Sequence, residues 1–210
     1  MAVVDHLVYA VADLERATAW FSSTLGVRPA PGGSHPGRGT RNALAALGGG
    51  AYLEVIAPDG SQPPPDAPRP FGIDDVDGDR LVGFAVRPDV DGGETLESLV
   101  ERCRSAGHDP GDPVPMSRVT PDGEELRWRL TSPAPSSATI PFLIDWGPTP
   151  HPSRTTPSGL HLVSLRAADP IDAPGAEEVR RALGLVDVAP ADGVGLRASV
   201  AGPGGRRVEL

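Results

Sequence analysis

The chain has 210 residues and a formal net charge of −9. That length buries a sizeable core, in one large domain or two small ones. The acidic balance excludes a general binder of nucleic acid or of anionic membrane, since both need clustered positive charge. All 19 basic side chains are arginine, and glycine and proline are abundant, which reads as a coding bias. The lone Cys103 excludes an intramolecular disulfide and any multi-cysteine metal site, as suits a reducing compartment. No early stretch combines the basic start, apolar core and cleavage site of a secretory signal. No apolar run approaches the roughly 20 residues of a membrane helix. The expectation is a soluble cytoplasmic protein with neither nucleic-acid nor membrane partners.

In chain order, Val3 to Val11 is the clearest strand and carries His6 in an apolar run. Asp13 then caps a helix whose Leu14, Ala17, Phe21 and Leu25 recur at helical spacing, and Gly26 ends it. The stretch from Pro31 to Thr40 is too rich in Gly and Pro for regular structure. Strands follow at Arg41 to Leu47 and Ala51 to Ile56, joined by Gly48-Gly49-Gly50, and residues 58 to 79 form a connection. The order then restarts with a strand at Leu81 to Arg87 and an amphipathic helix at Leu96 to Ala106. Three strands complete it, at Val114 to Arg118, Glu124 to Leu130 and Ile140 to Trp146. A shorter third pass runs from His161 through a helix near Ala176 to Leu183, then strands at Val194 to Ala201 and Arg206 to Leu210.

Three passes of one βαβββ order amount to an internal repeat. The predicted fold is α+β: repeated βαβββ units, at 3–57, 80–147 and 158–210, forming a curved mixed sheet with helices on its outer face. The third pass carries its own echo of the first. His161 stands in the same His-Leu-Val tripeptide as His6, and Glu209 follows His161 at the 48-residue distance that separates Glu54 from His6.

The repeat, the opening Asp5-His6-Leu7-Val8-Tyr9-Ala10-Val11 and Tyr52-Leu53-Glu54 together resemble the vicinal oxygen chelate superfamily. The likeness to its glyoxalase-like domain branch adds His35-Pro36-Gly37 with Gly39-Thr40, Pro113 to Arg118, Glu125 to Arg129, and Pro141-Phe142 leading to Trp146. The resemblance implies a cup-shaped site between two units, often holding a divalent metal on ligands from the first and fourth strands of each. His6 and Glu54 fall on those positions. In the second unit Leu81 and Ile144 align with them, so two of four expected ligands are missing.

His6 and Glu54 suit Zn, Mn, Fe or Ni, with the alternative that Glu54 is a carboxylate partnered by His6 or an arginine. His161 and Glu209 would complete a four-ligand set if the third unit folded against the first. Glu54 is also the candidate general base, and His35, with Arg38 in the same loop, the candidate acid–base or gating residue. On Glu125 to Leu130 the charged Glu125, Arg127 and Arg129 alternate with Leu126, Trp128 and Leu130. If the apolar face lies under the helices, Arg127 and Arg129 point into the cup and grip an anion; otherwise they are a solvated face. His108 and His151 read as inert, Cys103 as a buried thiol, and Trp20, Phe21, Trp128, Phe142 and Trp146 as core. The resulting expectation is a glyoxalase-like enzyme of lyase or isomerase type acting on a small molecule. The rivals are a metal-free antibiotic- or metabolite-binding protein and a structural module, with a homodimer through the third unit.

Overall fold

A computed structural model describes residues 1–75, 77–120, 122–132, 138–169 and 175–210. The first unit comprises β1 (Val3–Ala10), α1 (Leu14–Leu25), β2 (Ala30–His35), β3 (Thr40–Gly48) and β4 (Ala51–Pro58). The second comprises β5 (Arg80–Arg87), α2 (Leu96–Ser105), β6 (Val114–Val119), β7 (Glu125–Leu130) and β8 (Phe142–Asp145), and between the units lies a 3-10 turn, Pro70–Asp75. The third segment holds β9 (His161–Ala168), α3 (Ala176–Leu183), β10 (Val188–Pro190), β11 (Gly195–Ala201) and β12 (Arg207–Glu209). No helix among the described residues is long and apolar enough to cross a membrane.

The two units close into one mixed barrel with strand order β1-β4-β3-β2-β6-β7-β8-β5. Within each unit the first and last strands pair in parallel, because the intervening helix supplies the crossover that a parallel pair requires. The units meet twice, at the antiparallel β1–β5 ladder and at the single β2–β6 pair Ser34↔Val119. That second junction explains why the Gly/Pro-rich stretch, expected to be irregular, is a strand. Gly33 sits at φ 136°, and a Cβ there would lie 2.4 Å from the Val119 carbonyl oxygen, so glycine lets β2 and β6 touch.

Two apolar layers result. Leu7, Tyr9, Leu53 and Val55 face outward onto α1 and the other helices, while Val8, Ala10, Leu44, Ile56, Ala85, Trp128, Phe142 and Ile144 face the barrel interior. The helix ends follow the expected chemistry. Asp13 accepts the Arg16 amide at 2.9 Å, and Gly26 closes α1 in the left-handed region.

The third segment has the βαβββ order of elements but not the pairing of the other two. Its sheet runs β10-β9-β11-β12, with the strand after the helix beside the strand before it. β11 therefore separates β9 from β12, and the echo of His6 and Glu54 in His161 and Glu209 lies on strands that do not touch.

Candidate functional site

The barrel interior opens as a cup of about 120 Å³ lined by inward residues of seven strands and the 3-10 turn. Alternation along each strand selects them: His6 on β1, Thr40, Asn42 and Leu44 on β3, Tyr52, Glu54 and Ile56 on β4, and Trp128 and Leu130 on β7. Phe71 in the turn reaches the cup wall against Phe142, with ring centroids 5.7 Å apart. Gly83 leaves it room, since a Cβ there would lie 3.3 Å from the Phe71 ring.

Glu54 is 7% exposed and stands at the centre of the polar residues. Its Oε1 accepts from Asn42 Nδ2 at 2.6 Å, its Oε2 lies 3.6 Å from His6 Nε2, and Oε1 lies 3.7 Å from His35 Nε2. His35 is held by Thr40 Oγ1 at 2.9 Å on Nδ1 and by the Asn42 amide at 3.3 Å on Nε2. Burial pushes the His35 imidazole below its usual pKa; the Glu54 charge pulls it back up, and Arg118 and Arg38 push it down. His35 is therefore neutral at pH 7, with Nδ1 carrying its proton if Nε2 accepts from Asn42.

Behind His6 stands Asp5, which is fully buried. Neighbours in a regular strand point to opposite faces, but the β1–β5 register slips between Val4 and His6, and that bulge lets Asp5 turn back onto its neighbour. Its Oδ1 meets His6 Nδ1 at 2.7 Å and Trp146 Nε1 at 3.4 Å, and its Oδ2 meets His151 Nε2 at 2.8 Å. Burial alone would raise this carboxyl, yet the hydrogen bonds from His151 and His6 outweigh it and hold the pKa far below the usual range. An ionised Asp5 places the His6 proton on Nδ1. His6 Nε2 then faces the Glu54 carboxylate at 3.6 Å.

The sequence-expected residues divide clearly. His6, Glu54, His35 and Arg38 line one cup, with Arg38 exposed at its mouth and its Nη2 3.8 Å from Met116 Sδ. Arg127 and Arg129 do not line it. The apolar side of β7 faces the cup, so both arginines lie on the barrel exterior: Arg127 pairs with Glu125 at 2.8 Å, and Arg129 bridges Glu97 at 2.7 Å and Asp145 at 3.0 Å. His161 is exposed outside the barrel, near the Gly48 turn, and Glu209 is exposed on β12, so neither joins the His6–Glu54 group. Leu81 faces the helical layer, and Ala85 is the β5 residue opposite His6. Trp128, Phe142 and Trp146 line the cup, and Trp20 is exposed on α1.

Four participants escaped the sequence reading. Asp5 was hidden by the bulge, and His151, taken as inert, is bonded to it. Asn42 and Arg118 showed only the alternation of their strands, which was legible once β3 and β6 were placed.

The superfamily's divalent metal can be tested against this donor set. His6 Nε2 and the Glu54 carboxylate are the ligands on offer; His35 Nε2 also lies near Glu54 but is met by the Asn42 amide, which donates to Glu54 as well. The second unit contributes Ala85, Phe142 and Ile144. Among the described residues no cluster of three or more His, Cys, Asp or Glu is arranged to hold a metal ion. A resident cation with three or four protein ligands does not fit this lining.

The model of a glyoxalase-like domain matches residues 4–183. No curated protein matches the chain. Among solved structures, a hypothetical protein from Staphylococcus aureus is 14% identical, with all of this chain and 85% of that one covered and a TM-score of 0.66. A methylmalonyl-CoA epimerase from Mycobacterium tuberculosis is 23% identical over 72% of this chain and 91% of its own, with a TM-score of 0.41. An epimerase in complex with methylmalonyl-CoA and NH4+ is 18% identical, covering 71% and 97%, at 0.44. At these identities the likeness concerns the fold alone.

Proposed function

Because the chain belongs to the glyoxalase-like domain family of the vicinal oxygen chelate superfamily, we propose that it is a small-molecule isomerase or lyase that moves a proton on carbon beside a carbonyl. The carrying observation is the line Asp5–His6–Glu54. A buried anion fixes the tautomer of an imidazole whose other nitrogen stands 3.6 Å from a second carboxylate, inside a cup whose opposite wall is largely apolar. Two adjacent proton acceptors facing apolar side chains suit the removal of a weakly acidic C–H proton.

In this reading Glu54 takes the proton from carbon. The Asn42 amide holds the carboxylate in place, and His6 Nε2 accepts the proton from Glu54 or returns it to the neighbouring carbon. Asp5 stabilises the imidazolium that forms and stays ionised throughout, as the orienting carboxylate of a catalytic triad does. Arg118 supplies the positive field in which negative charge develops on the carbonyl oxygen. For the rival reading, a metal-free antibiotic- or metabolite-binding protein, the same arginine disfavours a cationic guest, which would share the cup with a buried guanidinium.

The test is solvent deuterium exchange into small 2-oxo acids and ketones, followed by NMR on the purified chain. Catalysed exchange that falls at least a thousandfold in Glu54→Gln, with the fold intact, is the expected result. No catalysed exchange with any carbonyl compound tried would refute the reading. Elemental analysis of the same samples is expected to give less than one metal per chain.

A further inference from the structure

Of the four buried side-chain polar atoms without a hydrogen-bond partner among the described residues, three belong to the cup: Arg118 Nη1, Trp128 Nε1 and Asn42 Oδ1. Asn42 has a local reason. Its amide nitrogen is committed to Glu54, which turns Oδ1 toward Gly32, where a Cβ would lie 2.2 Å away. Arg118 and Trp128 have none. Arg118, on β6, is 5% exposed, forms no ion pair among the described residues and feels Glu54 only at a distance. Trp128, on β7, is 9% exposed with its indole N–H unmet. Leaving a guanidinium buried and unpaired is costly, and an isolated structural role gives no return for it.

The surroundings define the missing partner. Leu44, Met116, Leu130 and Ile144 line the same cavity, so its body is apolar. One unpaired buried positive charge matches one negative charge; the lining's other cation, Arg38, is exposed at the mouth and Glu54 already brings a carboxylate, so no buried group offsets the second charge of a phosphate dianion. The guanidinium fork matches two oxygens in a plane. About 120 Å³ suits a small molecule.

We propose that the cup binds a small organic monocarboxylate, its carboxylate taken by the Arg118 guanidinium with the Trp128 indole N–H as second donor. This names the substrate class of the proton-transfer reading and rests on it only for what then happens to the ligand. Anchored on β6, the acid extends its carbon chain across the cup toward Glu54 and His6 on the first unit.

The test titrates the full chain with butyrate, 2-oxobutyrate, the neutral isostere butyramide and inorganic phosphate, read by calorimetry and by tryptophan fluorescence. Either carboxylate is expected to bind at least tenfold more tightly than butyramide or phosphate. Arg118→Gln and Arg118→Met should each erase that preference while leaving the Tm unchanged or raised, because an unpaired buried charge has gone. A structural arginine would behave in the opposite way, with a lowered Tm and an intact preference. Equal binding of butyrate and butyramide, preferred binding of phosphate, or no binding of either carboxylate at millimolar concentration would each overturn the proposal. Exchange chemistry separates the two readings. Arg118-dependent acid binding without catalysed exchange upholds the carboxylate site and sinks the enzyme, whereas catalysed exchange without preferred acid binding does the reverse.

Discussion

Replacing Asp5 by asparagine probes the whole polar line with one change of charge. The side chain keeps its shape but loses the anion that accepts from His6 at 2.7 Å and His151 at 2.8 Å, and that lies 3.5 Å from Arg87 Nη1. Hydrogen bonds to a charged group contribute roughly 1.5–3 kcal/mol each. Asparagine can still accept one of the two, so the expected loss is about 2–3 kcal/mol. For a chain of this size that is a fall in Tm of roughly 4–12 °C. The pH dependence carries the sharper signature. The folded Asp5 carboxyl is held below its unfolded value, first against the desolvation that opposes it and then by the His151 and His6 bonds. Its stabilisation is therefore complete above the unfolded carboxylate value of about 3.9 and is lost as pH falls below it. Thermal melts of both proteins at pH 7 and pH 3 should show the gap narrowing on acidification. A gap that stays constant, or an asparagine variant as stable as the native chain at pH 7, would refute the reading of Asp5 as a buried, doubly bonded anion.

Three further outcomes are expected. Gly33→Ala should cost at least about 2 kcal/mol, from the strain of a side chain at positive φ and the contact with the Val119 carbonyl, measured by thermal or urea unfolding. A neutral result would mean that β2 and β6 do not close the barrel as described. His35 is half-buried, and desolvation pushes its pKa down, so the unfolded chain takes up its proton first and stability falls as pH drops below about 6.5. His35→Gln should flatten the decline in Tm between pH 7 and 5. Cys103 is fully buried on α2, with its thiol pushed up to about 11 by burial, and should resist thiol reagents in the native protein yet react completely in denaturant; rapid native modification would contradict the packing of α2.

How much of this was legible in the sequence depends on distance along the chain. Helix ends were readable because their causes are local: Asp13 and Gly26 act on the turn beside them. The alternation on β7 was equally clear, but which face points inward was not. A barrel has apolar layers on both sides of its wall, and the charged face of β7 proved to be exterior, exposed beside the edge of α2, where Arg129 reaches Glu97. Asp5 was concealed because a bulge depends on the partner strand, and β5 lies some 80 residues away. The matched His161 and Glu209 misled for a related reason. Equal spacing preserves an order of elements, whereas a site needs adjacent strands, and β11 stands between β9 and β12.

The asymmetry of the cup follows from the same closure. In a two-unit barrel each half contributes the same strands, and a symmetric site would take a polar group from both. Here the first unit supplies His6, His35, Asn42 and Glu54, while the second supplies Ala85, Phe142 and Ile144 at the inward positions of its outer strands. Among the described residues the second unit's one buried charge, Arg118, comes instead from β6, beside the junction with β2 where Gly33 leaves space for it. Proton acceptors on one wall and an unpaired cation on the other give the cavity a direction. A ligand with an acidic end and a reactive carbon would be held in one orientation, which neither unit alone could impose.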